Sequence, residues 1–266
     1  MDNRAIGVFD SGYGGLTAVK ALRELMPHEN IIYFGDSARA PYGSRSAEEL
    51  KLMAKQDLDL LLSKNVKAIL AACGTVSSNA ADELEHCAVK VIGVLKAGVK
   101  AMSQVEAAGP LAIIATEASI RSGAFERELK ALCPEREVIA LACPDFVPLI
   151  ESGHYLPSDE LVKAVVEKDL ATLKNKNCAA LLLGCTHFGI IGEAIKNYLG
   201  DTELISASES AAREMRQYIQ ENELMGDGAS LCCLSSGEVE EFRTNAVLFL
   251  GNAEINVEKQ AVTEVE

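Results

Sequence analysis

The chain has 266 residues, 48% apolar and 24% charged, which suits a globular protein of two small domains. A net charge of −14 repels polyanions, so neither nucleic acid nor an anionic membrane surface is an expected partner. No apolar run approaches the ~20 residues that span a bilayer. The opening MDNRAIGVFDSG has no basic region followed by an apolar one, so a cytoplasmic location is expected.

Short apolar runs alternate with longer amphipathic stretches. The runs at 5–9, 30–34, 66–72, 89–94, 111–115, 138–142, 179–184 and 202–206 read as strands. Residues 46–64 and 158–176 read as helices. This alternation predicts an α/β fold with mostly parallel sheets and functional loops at the strands' C-terminal ends. The pattern also repeats at half-chain distance. The run ending in Cys73-Gly74-Thr75 resembles the one ending in Cys185-Thr186-His187, and 5–22 corresponds to 111–132. Two like-folded halves are expected, each bringing one cysteine to a strand end. The clearest linker is 96–110, much of it compatible with helix, and the polar tail after Asn252 is expected to be loosely held.

Eight cysteines without an export signal are expected to be free thiols. Their spacing carries no zinc pattern, and no metal is expected. Cys73 and Cys185 each follow an apolar strand and precede Thr and a helix-like segment. A helix N-terminus there would favour thiolate and lower the thiol's pKa. Cys87, Cys133, Cys143, Cys178, Cys232 and Cys233 lack this setting and read as packing residues. His187 is either structural or an aid to proton transfer at Cys185. In FDSGYGG (9–15), Asp10 and Ser11 either cap a strand–helix turn or belong to a site. The turn matches no nucleotide-binding loop. Pro41-Tyr42-Gly43-Ser44 is able to present backbone N–H groups to a carboxylate. Glu151 is either a helix-surface residue or an acid near the second thiol. In so acidic a chain, an anion site must be built locally from N–H groups, helix N-termini and hydroxyls.

Over nearly its whole length the chain resembles the glutamate racemase family. The resemblance runs in order through IGVFDSGYGGL, YFGDSARAPYGSRS, ILAACGTVSSNA, IIATEASIRSGAF, ACPDFVPLIESG, LLLGCTHF and LSSGEVEEFRTNAVLFLG. It implies two pseudo-symmetric α/β domains, 1–97 with 207–266 and 98–206, and an active site at their interface. It implies chemistry without pyridoxal phosphate, other cofactor or metal. Cys73 and Cys185 would be the two acid/base thiols, Asp10 and Glu151 their supporting carboxylates, and His187 an aid to Cys185. Asp10, Ser11, Tyr42, Gly43, Gly74, Thr75, Thr186 and His187 would line the substrate site. The implied reaction interconverts L- and D-glutamate, a small-molecule substrate, and supplies D-glutamate for peptidoglycan synthesis. A homodimer is compatible with this. Racemisation of aspartate or another acidic amino acid is the near alternative, and a non-catalytic descendant binding a carboxylate or a protein partner the distant one.

Some positions depart from the family pattern. Gly74 stands where Asn is usual, Phe188-Gly189 where Tyr-Pro is usual, and Ser206-Ala207 where Asp and Ser are common. Asn in place of Gly74 would offer an amide to the substrate carboxylate, so Gly74→Asn is expected to tighten glutamate binding.

Overall fold

The computed structural model describes residues 1–251 and 255–262. Among them are ten strands: β1 (Ile6–Asp10), β2 (Ile31–Gly35), β3 (Ala68–Ala71), β4 (Val91–Gly93), β5 (Leu111–Ala115), β6 (Val138–Ala142), β7 (Ala180–Leu183), β8 (Glu203–Ser206), β9 (Leu231–Ser235) and β10 (Asn256–Lys259). All eight strands expected from the sequence are present. The central ones are largely apolar because a parallel sheet covered by helices buries both faces; β1, β3, β5 and β7 are buried along their whole length.

The strands form two parallel sheets, in the orders β10-β9-β2-β1-β3-β4 and β6-β5-β7-β8. The run β2-β1-β3-β4 of the first matches β6-β5-β7-β8 of the second, strand for strand. In each sheet the chain starts in a central strand, adds one neighbour, then crosses to the other side. The crevice at that switch point is where parallel α/β sheets bind ligands. The loops after β1 and β3 flank it in the first sheet, and those after β5 and β7 in the second. These loops carry Asp10, Cys73, Thr116 and Cys185.

Helices join the two sheets. Val94–Ser103 leaves β4 and Ala207–Glu221 leaves β8, and one continuous apolar core runs through both, from Ile6 and Leu70 to Ile113 and Leu182. Half of the expected linker is therefore helix. Gly98 lies against Ala207 here; a Cβ on Gly98 would come 3.2 Å from that of Ala207, so the small residues suit this crossing. Ser206 still caps the helix, its hydroxyl accepting from the Glu209 N–H at 3.2 Å.

Two strands were not apparent in the sequence, and one expectation is corrected. β9 reads LCCLS and lies inside the first sheet, between β2 and β10. The tail after Asn252 is not loose throughout. Residues 252–254 and 263–266 lie outside the described residues, but Asn256–Lys259 forms the edge strand β10. Val257 is buried while Asn256 and Glu258 face out, so one apolar contact and the pairing with β9 order a polar segment.

The return of the chain to the first sheet is pinned by a buried ion pair. Lys67 Nζ meets Glu29 Oε2 at 2.5 Å and donates to the carbonyls of Asp2 at 2.8 Å and Leu224 at 2.7 Å. The other Glu29 oxygen accepts the Gly226 N–H at 2.7 Å. The N-terminus, β2, β3 and the segment leading to β9 thus share one charge pair. Lys67→Met would leave the Glu29 carboxylate buried without a counter-charge. A loss of about 3–5 kcal/mol in urea unfolding is expected, against less than about 0.5 kcal/mol for Lys163→Met at an exposed pair.

Candidate active site

The four loops at the switch points face one another across a cavity of about 390 Å³. Every residue singled out from the sequence lines it: Asp10, Ser11, Tyr42, Gly43, Cys73, Gly74, Thr75, Glu151, Cys185, Thr186 and His187. A larger cavity of about 590 Å³, reaching from Lys20 and Glu24 to Leu248, has no cysteine in its lining. Convergence of titratable groups, rather than size, picks out the first.

Asp10 ends β1, and its Oδ2 accepts the N–H groups of Gly12 at 3.2 Å and Gly15 at 3.0 Å. The cap and the site are therefore one structure. Burial pushes the Asp10 carboxyl up, opposed by His187 and these N–H groups. Gly14 and Gly15 have ordinary φ; what they supply is closeness. A Cβ on Gly14 would come 2.4 Å from His187 Nδ1 and from Thr186 Oγ1. The first turn of one half thus seats directly on the second thiol's loop. Thr17 Oγ1 bonds Ser208 Oγ at 3.0 Å beside it.

Cys73 stands at the N-cap position of the short helix Gly74–Asn79, without a side-chain capping bond. The expectation of a lowered thiol pKa there is not met. Burial, with the Asp10 charge adding to it, pushes the Cys73 thiol up to about 12; the Val76 N–H and Ser11 hydroxyl oppose this. A one-and-a-half-turn helix has too weak a field to offset the loss of water around the sulfur. Cys185 is not at a helix N-terminus at all. A 3₁₀ turn, Phe188–Ile191, separates it from the helix Gly192–Leu199. Phe188 packs edge-on against Phe146 with centroids 5.0 Å apart.

The partner of Cys185 is His187, whose Nδ1 lies 4.0 Å from the sulfur. Its Nε2 lies 3.0 Å from Glu151 Oε1. Burial alone would lower His187, but its bonds to Cys185 and Glu151 outweigh burial and raise it to about 10. Glu151 ends the helix Phe146–Glu151 with its side chain 41% exposed. It is both a surface residue and the acid that orients His187.

Gly74 corrects another expectation. A Cβ there would fall 2.1 Å from the Gly184 carbonyl oxygen, so the backbones of the two thiol loops touch at this point. An asparagine does not fit without parting them. Hydroxyls lie beside Gly74: Thr75 Oγ1 and Thr116 Oγ1 are bonded at 3.0 Å, one from each half. Thr116 was not singled out from the sequence. The half-chain repeat held its signal, since Thr116 follows β5 as Ser11 follows β1. Cys143, read as packing, also lines the cavity, and burial pushes its thiol up. Among the described residues no group of His, Cys, Asp and Glu is arranged to hold a metal.

Two outcomes follow from this geometry. Gly74→Ala and Gly74→Asn should each destabilise the protein by about 1–3 kcal/mol in urea unfolding, as overpacking does. They should weaken glutamate binding rather than tighten it. His187 holds its proton more tightly folded than unfolded, where its ordinary value is 6.5. That stabilisation is complete below pH 6.5 and is lost as pH rises through about 10. Urea midpoints of the native protein should fall across this window, and those of His187→Gln should fall less.

Residues 17–215 match the model of the Asp/Glu/Hydantoin racemase family. The chain is 37% identical over 260 residues to a glutamate racemase of Bacillus cereus, covering 96% of each chain. It is 41% identical over 217 residues to a glutamate racemase of Streptococcus gordonii, 81% of each. The crystal structure of glutamate racemase from Francisella tularensis, in complex with D-glutamate, superposes with a TM-score of 0.91 at 36% identity, covering 100% of both chains. Fold, paired thiol loops and sequence agree: the chain belongs to the Asp/Glu/hydantoin racemase family, among the glutamate racemases.

Proposed function

We propose that the protein interconverts L- and D-glutamate without a cofactor, Cys73 and Cys185 exchanging the α-proton from opposite sides. The observation that carries this reading is a pair of thiols on equivalent strand ends of two like sheets, opening on one cavity. The product would supply peptidoglycan synthesis in the cytoplasm, and a homodimer is compatible with the reading.

An α-proton flanked by ammonium and carboxylate is very weakly acidic, and inversion needs a base on one face and an acid on the other. One sulfur, as thiolate, takes the proton; the other, as thiol, returns one to the opposite face, and the roles reverse for the reverse reaction. The surroundings of the two sulfurs differ. Cys73 is buried beside the Asp10 carboxyl, which favours the protonated thiol, and Asp10 can take up its proton when Cys73 must act as base. Cys185 has the His187–Glu151 pair, and a protonated imidazole 4.0 Å away compensates charge on that sulfur. Thr75, Thr116 and Thr186 supply hydroxyl donors to the substrate's carboxylate, whose charge grows in the transition state. Tyr42 and Gly43 bound the far end of the site.

The test is incubation of pure, dialysed protein with L-glutamate in D₂O. Loss of optical rotation should accompany deuterium at Cα, with no stimulation by pyridoxal phosphate. L-aspartate, run in parallel, should react far more slowly. Cys73→Ala and Cys185→Ala should each lower turnover by at least about 10²–10⁴-fold, whereas Cys87→Ala should not. Residues 1–97 joined to 207–266, and residues 98–206, are the proposed domains, each with one of the two acid/base thiols; neither alone should racemise glutamate. Near-normal turnover in either thiol variant refutes the two-base mechanism.

A further inference from the structure

The Pro41–Ser44 wall of the cavity rests on buried polar side chains that take no part in the proton transfer. Asp36 follows β2, and Arg39 and Tyr42 lie on the loop beyond it. Gln56 and Asp57 lie on the inward face of the helix Ala47–Ser63, a helix fixed at its start by a reciprocal Ser46–Glu49 cap. The side chains of Asp36 and Asp57 are both 0% exposed. Among the described residues a single cation, Arg39, pairs with both. Arg39 donates through Nε to Asp36 Oδ2, through Nη1 to Gln56 Oε1, and through Nη2 to Asp57 Oδ1 at 2.9 Å. The Tyr42 hydroxyl and, further off, the Asp10 carboxyl also face Asp57.

Two ionised carboxylates on one guanidinium would leave an uncompensated charge in the interior. Hydrogen counting reaches the same point by another route. The Tyr42 hydroxyl bonds Asp36 Oδ2 and also lies 3.1 Å from Asp57 Oδ2. A phenol has one hydrogen to give. Asp36 Oδ2 already accepts from Arg39 and takes the Tyr42 hydrogen, and the other Asp36 oxygen has no partner. Facing a second carboxylate, the Tyr42 oxygen would offer only a lone pair to a negative charge. The contact is a hydrogen bond only if Asp57 Oδ2 carries a proton and donates it to Tyr42.

We propose that Asp57 is an uncharged carboxylic acid in the folded protein and a positioning residue, its proton fixing the Tyr42 hydroxyl and so the Pro41–Ser44 wall of the substrate cavity. Burial first, and Asp36 second, push the Asp57 carboxyl well above the ordinary carboxylate range, in the direction this requires. The usual expectation for a buried aspartate paired with arginine is thereby reversed. Asparagine matches a neutral aspartic acid in shape and bonding, its NH₂ donating to Tyr42 and its oxygen accepting from Arg39.

The effect on substrate rests on the proposed function, so the test has a spectroscopic arm that does not. Infrared difference spectra at neutral pH, native minus Asp57→Asn, should contain the C=O band of a protonated carboxyl. Tyr42→Phe, which removes the proton's acceptor, should shift that band. In glutamate assays, Asp57→Asn should keep KM within about threefold, whereas Asp57→Leu should raise it by about tenfold or more with a smaller change in kcat. If Asp57→Leu does not fold, the spectra and the asparagine variant decide. A protein that keeps the band but leaves glutamate untouched would overturn the functional reading and uphold the Asp57 proton. The proposal fails if Asp57→Asn removes no protonated-carboxyl band, or if it raises KM as much as leucine does.

Discussion

The two thiol loops meet backbone to backbone, with Gly74 against the carbonyl of Gly184, and the site depends on that contact. Each loop leaves the C-terminal end of a central parallel strand, and the absence of a side chain at 74 lets the strand ends approach. Cys73 and Cys185 then open on the same cavity, as inversion at one carbon requires. Gly14, seated on Thr186 and His187, does the same on the other side of the loop. Here glycine is used for contact between chains of the fold rather than for an unusual φ.

This closeness shapes the electrostatics. In a chain of net charge −14 the cavity gathers Asp10, Glu117, Glu151 and the thiols of Cys73, Cys143 and Cys185 into about 390 Å³. Burial raises Asp10 and Cys73, while His187 is raised by its partners against burial. One thiol sits in acid surroundings and the other beside a cation, although the two sheets correspond strand for strand. The symmetry is one of backbone; the difference between the two thiol environments lies in neighbouring side chains. The space an asparagine side chain would need at 74 is taken by Gly184, and the hydroxyls of Thr75 and Thr116 line the cavity beside it.

Which parts were legible beforehand follows from how local their causes are. β1, β3, β5 and β7 were readable because parallel strands buried on both faces must be apolar from end to end. The eleven residues that line the cavity were readable as candidates because strand-end loops carry the polar residues of an α/β fold, and because the family resemblance ordered them. β9 was hidden by its two cysteines. β10 was hidden because an edge strand held by pairing and one buried valine has an almost wholly polar sequence.

The sequence by itself determined the alternation of strand and helix, the half-chain repeat, and the two cysteines at matching strand ends, since each is written in local periodicity and composition. Tertiary structure alone decided the ionisation around them. Whether a helix start lowers a thiol or burial raises it depends on how much water the fold removes and which charges it brings near. The meaning of Gly74 was decided there too: in sequence it is a missing amide, and in space it is the one residue small enough to let the second loop approach. The contact joins positions more than a hundred residues apart, and steric exclusion between such positions leaves no trace in local pattern.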